Sequence, residues 1–145
     1  MVPRLLWVAL LLVVCSLVPQ DAQGTTLTGV NVLLTSEKAV YSPGEPITFV
    51  LKVINNTSRP LRLSFRNAQR FDLVMRDTRG REVWRWSAGK IFAQVLGEER
   101  LKPSGGELLF QATVPGNLPP GEYTATGTVP ALEDSLSAQT RITVQ

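Results

Sequence analysis

The residues of this chain able to do chemistry are few, and their types narrow the field. Its 145 residues include no histidine and a single cysteine, Cys15. Ser-His-Asp and Cys-His nucleophile arrangements are therefore excluded, as are zinc and copper sites of the usual His/Cys kind. Asp72, Asp77 and Glu82 are carboxylates close together in sequence. They fall on positions that read as strand and turn, where solvent exposure accounts for them, and paired-carboxylate hydrolysis would need a cleft that nothing here announces. Glu98-Glu99 and Glu133-Asp134 read as exposed loop charges without the spacing of a calcium loop. Glycine-rich phosphate motifs are absent. Asn55-Asn-Thr57 has the form of a glycosylation acceptor. The expectation is a protein with no catalytic residue, cofactor or metal, which acts by surface recognition.

The N-terminus reads as a leader. Arg4 supplies a positive start, Leu5 to Val14 an apolar run, and Ala22-Gln-Gly24 small residues suited to cleavage after Gly24. The pattern predicts a signal peptide over residues 1–24 and one domain over residues 25–145, secreted or held in the cell envelope. Two alternatives remain, a lipid anchor at Cys15 and an uncleaved signal anchor. The apolar run falls short of the roughly 20 residues a membrane span needs, so no stable span is expected after cleavage. Without its leader the domain has no cysteine, so no disulfide can help to hold it.

Net charge is +3. Between Arg59 and Lys90 there are nine Lys/Arg against three Asp/Glu, a local excess of +6. The arginines alternate there with apolar residues, as solvent-facing strand positions do. No nucleic-acid module is recognisable, and nucleic acid is not an expected partner.

Those side chains must be positioned by strands. Helical periodicity is nearly absent, and period-2 alternation recurs between Pro, Gly, Asn and Asp breakers. Leu27 to Leu34 reads as a first strand. Ile47 to Ile54 follows, with Ile47, Phe49, Leu51 and Val53 on one face. Leu61, Leu63 and Phe65 alternate with Arg62, Ser64 and Arg66. Phe71, Leu73 and Met75 share a face, and Asp77-Thr-Arg-Gly80 has the Asp-first, Gly-last form of a tight turn. Glu82, Trp84 and Trp86 share a face of the next strand. Ile91 to Leu96 reads as a strand, and Gly97 to Gly106 as a long polar loop. Leu108, Phe110, Ala112 and Val114 alternate, as do Tyr123, Ala125, Gly127 and Val129, and Leu136, Ala138, Thr140, Ile142 and Val144. The result is an all-β chain, an immunoglobulin-like antiparallel β-sandwich of about seven to eight strands. Trp84 is the aromatic expected in the core, with Trp86 nearer the surface.

One stretch carries more than a fold. Phe71, Asp72, Asp77, Gly80, Trp84, Trp86, Ser87, Gly89, Lys90, Phe92 and Gln94 form an ordered series: Phe-Asp, a strand, Asp-x-x-Gly, Trp-x-Trp-Ser, Gly-Lys and Phe-x-Gln. This series resembles the central motif of the BsuPI-type proteinase inhibitors, whose founding member is an intracellular inhibitor of a bacterial serine protease. The resemblance covers most of residues 40–130 and implies a protein partner, a serine protease. Leu-Pro-Pro-Gly-Glu-Tyr123 likewise resembles the entry to a late strand of immunoglobulin-like domains, which implies a tyrosine corner at Tyr123.

A substrate-like inhibitor needs an extended loop held rigid by a stable scaffold, able to add to an enzyme's cleft as a strand. Gln94 to Gly106 is the first candidate, with Leu96 and Leu101 as side chains able to fill a specificity pocket. Ser87 to Lys90 is the second. Two rival readings are a non-inhibitory interaction or assembly domain of the cell envelope, and an enzyme or carbohydrate-binding module in which Trp86 and Phe92 stack on a sugar.

Overall fold

The computed structural model describes Gln23, Gly24 and residues 28–145. The expected leader, Cys15 included, otherwise lies outside the described residues. Alternation of apolar and polar side chains dictates strands, and eleven strand segments result among the described residues: β1 (Gln23–Gly24), β2 (Val30–Ser36), β3 (Val40–Tyr41), β4 (Ile47–Asn55), β5 (Leu61–Phe65), β6 (Asp72–Asp77), β7 (Glu82–Arg85), β8 (Gly97–Leu101), β9 (Gly106–Val114), β10 (Gly121–Pro130) and β11 (Ser135–Val144). Two of these are only two residues long. Among the described residues no helix is long and apolar enough to cross a membrane.

The strands form two facing layers. One sheet runs β1-β11-β10-β6-β7, with β3 pairing in parallel on β11. The other runs β2-β4-β9, and β5 and β8 make a separate antiparallel pair. The first segment, Gln23–Gly24, pairs with Gln139 and Ala138, so the sheet reaches the residue after which cleavage is expected. The architecture is the immunoglobulin-like sandwich read from the sequence.

The core lies where the two inner faces meet. Ile47, Phe49, Leu51 and Val53 point inward from β4, Tyr123, Ala125 and Val129 from β10, and Leu136, Ala138, Ile142 and Val144 from β11. Each Ile, Leu, Val or Phe side chain among them removed from water contributes about 1.5–3 kcal/mol. Gly127 lies close against the facing sheet: a Cβ there would lie 2.9 Å from Leu51 Cδ1. The Tyr123 hydroxyl donates to the Pro119 carbonyl at 2.5 Å, the geometry of a tyrosine corner.

Three local expectations change. Ile91 to Leu96 is not a strand, whereas Gly97–Leu101, read as loop, is β8. Ile and Val are strand formers in isolation, but segment 91–96 has no neighbouring strand, while β8 pairs with β5 from Leu61↔Leu101 to Phe65↔Gly97. Trp84 is only half-buried, because β7 is an edge strand with one neighbour, and the largest fully buried rings are Phe49 and Phe65. Asn55 is fully buried: its amide donates to the Arg59, Leu101 and Lys102 carbonyls, and its Oδ1 accepts from Thr57. A sugar cannot reach that nitrogen.

Candidate functional site

The site is built outward from the β6–β7 hairpin. Asp77 closes its turn. Oδ1 accepts from the Arg79 and Arg81 N–H groups at 2.9 and 3.0 Å, and Oδ2 from Arg81 Nε at 2.9 Å. Burial pushes this carboxyl upward, but the Arg81 N–H, the Arg81 guanidinium and the Arg79 N–H outweigh it and hold Asp77 below the usual carboxylate range. Gly80 takes φ +77°, a left-handed conformation that favours glycine. The hairpin returns with a register shift at Met75/Arg76.

Asp72, at the other end of β6, ties down the chain as it leaves β7. Its Oδ2 accepts from Ser87 Oγ and from Arg85 Nη1, both at 2.7 Å, and its Oδ1 from the Leu73 and Ser87 N–H groups. Trp86 N–H donates to the Leu73 carbonyl at 2.9 Å. The Asp and the Ser of the motif are thus partners in one knot. They hold the position where strand gives way to loop.

Aromatic rings lie beneath that loop. Phe71 stacks on Phe110 of β9, with centroids 4.9 Å apart, and packs against Trp86 at 4.1 Å. Trp86 in turn meets Phe92 at 5.9 Å, and Lys90 Nζ stands 4.8 Å over the Trp86 ring. Phe71, Trp86, Lys90 and Phe92, scattered through the motif, therefore converge on one stack. The Trp86 ring is engaged by protein groups, which removes the open Trp86–Phe92 platform expected for a sugar.

The loop itself runs from residue 87 to residue 96. Gly89 turns it with φ +74°, and the Ala68 N–H donates to the Ala93 carbonyl at 2.9 Å. Gln94 stays at the surface, its amide 3.5 Å from the Phe92 carbonyl. Three apolar side chains face solvent: Ile91 is 98% exposed, Leu96 84% and Val95 59%. At the loop's end Arg70 lies across Gly97 and ion-pairs with Glu99 of β8.

The two leucines expected to fill a pocket are separated by this arrangement. Leu96 is on the exposed loop. Leu101 is 3% exposed in the core, because it ends β8 opposite Leu61, and it cannot enter a partner's pocket. Ile91 was missed as a loop residue because its β-branched side chain reads as strand, whereas Val95 fell both in that strand reading and within the Gln94–Gly106 candidate loop. Four of the nine basic residues of the stretch form ion pairs: Arg62 with Glu98, Arg70 with Glu99, Arg81 with Asp77, and Arg85 with Asp72 and Glu82.

The chain belongs to the BsuPI family, described as intracellular proteinase inhibitor, which matches residues 34–133. No curated protein sequence matches it. Among solved structures it is similar to the C-terminal domain of wzt, at 13% identity and a TM-score of 0.53, covering 87% of this chain and 79% of that one. It is also similar to the sporulation control protein Spo0M of Bacillus subtilis, at 19% identity and a TM-score of 0.51, covering 82% of this chain and 50% of that one. Both are likenesses of fold. The family's description corrects one expectation: it is intracellular, which conflicts with the secreted or envelope location read from the leader.

Proposed function

We propose that this protein inhibits a serine proteinase of the subtilisin-like kind by presenting the loop over residues 87–96 to the enzyme's active-site cleft. The observation that carries this reading is the exposed apolar trio Ile91, Val95 and Leu96, on a segment fixed at both ends and from below. An extended peptide binds a proteinase cleft by main-chain pairing, with side chains entering alternate pockets. A segment already ordered loses little entropy on binding and separates slowly after any cut. Burying an aliphatic side chain such as Ile91 in a pocket gains about 1.5–3 kcal/mol.

The test is titration of the full chain against subtilisin-like proteinases, native and with the active-site serine covalently blocked. The expected result is stoichiometric loss of peptidase activity, with binding weakened by the block. Association that leaves peptidase activity untouched would instead make the protein a non-inhibitory interaction module.

A further inference from the structure

The loop's three central residues differ sharply in what they can offer. Lys90 and Phe92 both turn back to Trp86, one with its ammonium over the ring and the other ring to ring. Ile91 stands between them and points away, almost wholly in solvent. An extended chain alternates its side chains in this way. The two neighbours act as anchors that aim the middle residue outward, and the Ala68–Ala93 main-chain bond closes the segment just beyond.

We propose that Ile91 is the side chain received by the primary specificity pocket of the target. The target is then a proteinase that selects apolar residues, branched aliphatic ones included, and not lysine or arginine. This rests on the loop reading above. Two physical points favour Ile91 over its basic neighbour. Lys90 would have to give up its contact with the Trp86 ring before entering an acidic pocket, whereas Ile91 gives up nothing. A β-branched side chain also has few rotamers to lose on binding. Val95 and Leu96 are exposed as well, but neither is flanked on both sides by residues anchored to the ring stack. They make flanking contacts.

The test uses the full chain and a panel of elastase-type, subtilisin-type, chymotrypsin-type and trypsin-type proteinases, with inhibition constants read from peptide-substrate hydrolysis. The native chain is expected to inhibit an apolar-selective enzyme and to spare the trypsin-type one. Ile91→Ala should weaken inhibition at least thirty-fold, the scale on which an anchoring side chain is lost, with no change in the thermal unfolding midpoint. Ile91→Arg should move inhibition toward the trypsin-type enzyme. Strongest inhibition of that enzyme by the native chain, abolished by Lys90→Ala, would overturn the proposal in favour of Lys90. A loop dependence without Ile91 would overturn it too: Ile91→Asp inhibiting like the native chain, while Gly/Ser replacement of residues 90–96 abolishes inhibition, leaves the loop reading standing. Full inhibition by the Gly/Ser variant would sink both.

Discussion

Ser87 Oγ donates to Asp72 Oδ2 at 2.7 Å across a sequence separation of 15 residues. The same carboxylate takes Arg85 Nη1, and its other oxygen takes the Ser87 and Leu73 N–H groups. Two motif residues that look like candidates for chemistry are therefore satisfied by one another. Their work is to fix the direction in which the loop leaves β7, and Trp86 lies between Arg85 and Ser87 at that point.

Asp72→Ala should lower stability by about 2–3 kcal/mol, because four donors lose their acceptor in a half-buried site. Ser87→Ala removes one of them and should cost about 1 kcal/mol. Urea unfolding of both variants, compared at equal m-value, checks the ratio. Equal costs would mean that Ser87 carries the knot.

The two candidate leucines should separate cleanly. Leu101→Ala is a truncation in the core and should cost about 2–5 kcal/mol. Leu96→Ala alters an exposed side chain and should change stability by less than about 0.5 kcal/mol. Inhibition should show the reverse order when assayed below the unfolding transition of each variant.

Trp86→Ala should unseat the loop without unfolding the sandwich. Phe71, Phe92 and Lys90 all lose their common partner. The ring is half-buried, so the stability cost should be about 2–3 kcal/mol, below the 3–5 of a fully buried tryptophan. Inhibition should fall more steeply than in Lys90→Ala, and amide exchange over residues 88–96 should accelerate.

Acid and alkaline limbs of stability should have separate origins. Glu133 is held below its ordinary value of 4.5 by the Ser64 hydroxyl and the Ser64 N–H, and Asp77 lies below its ordinary 3.8 despite burial, through Arg81 and Arg79. A lowered carboxyl stabilises the fold above its unfolded value, and that contribution is lost as pH falls through the folded one. Tyr123 is raised above 10.0, first by burial and then by the Asp77 charge. Its contribution is complete below pH 10.0 and lost as pH rises through the folded value. Urea midpoints should therefore be flat from about pH 6 to pH 9, falling below the ordinary carboxylate values and again above 10. Asp77→Asn should flatten part of the acid limb and, by removing the smaller of the two causes that raise Tyr123, weaken the alkaline limb without abolishing it.

The strands that were legible are those whose own residues declare a face. In β4, β10 and β11 nearly every second residue is apolar, with Asn55 and Thr140 the polar exceptions in β4 and β11, and the apolar ones are buried. Those strands are central or long, so intrinsic pattern and environment agree. In β8 they do not agree. Gly97-Glu-Glu-Arg-Leu101 has one apolar residue, and only its pairing with β5, from Phe65↔Gly97 (97 − 65 = 32 residues apart) to Leu61↔Leu101 (101 − 61 = 40), makes it a strand. Residues 91–96 fail in the opposite sense, with strand-forming side chains and no partner. The motif was visible as a series of residue types, but its meaning as an aromatic stack and a hydrogen-bond knot was not.

Composition and alternation alone settled that this chain is a β-sandwich held by apolar burial and that it has no histidine to offer, because both conclusions depend on residue identity and on the two-residue period of a pleated strand. Which apolar residues are left outside was decided by tertiary structure. Leu101 and Ile91 are alike in hydrophobicity, and only pairing between distant strands buries the first while two anchored neighbours turn the second toward solvent.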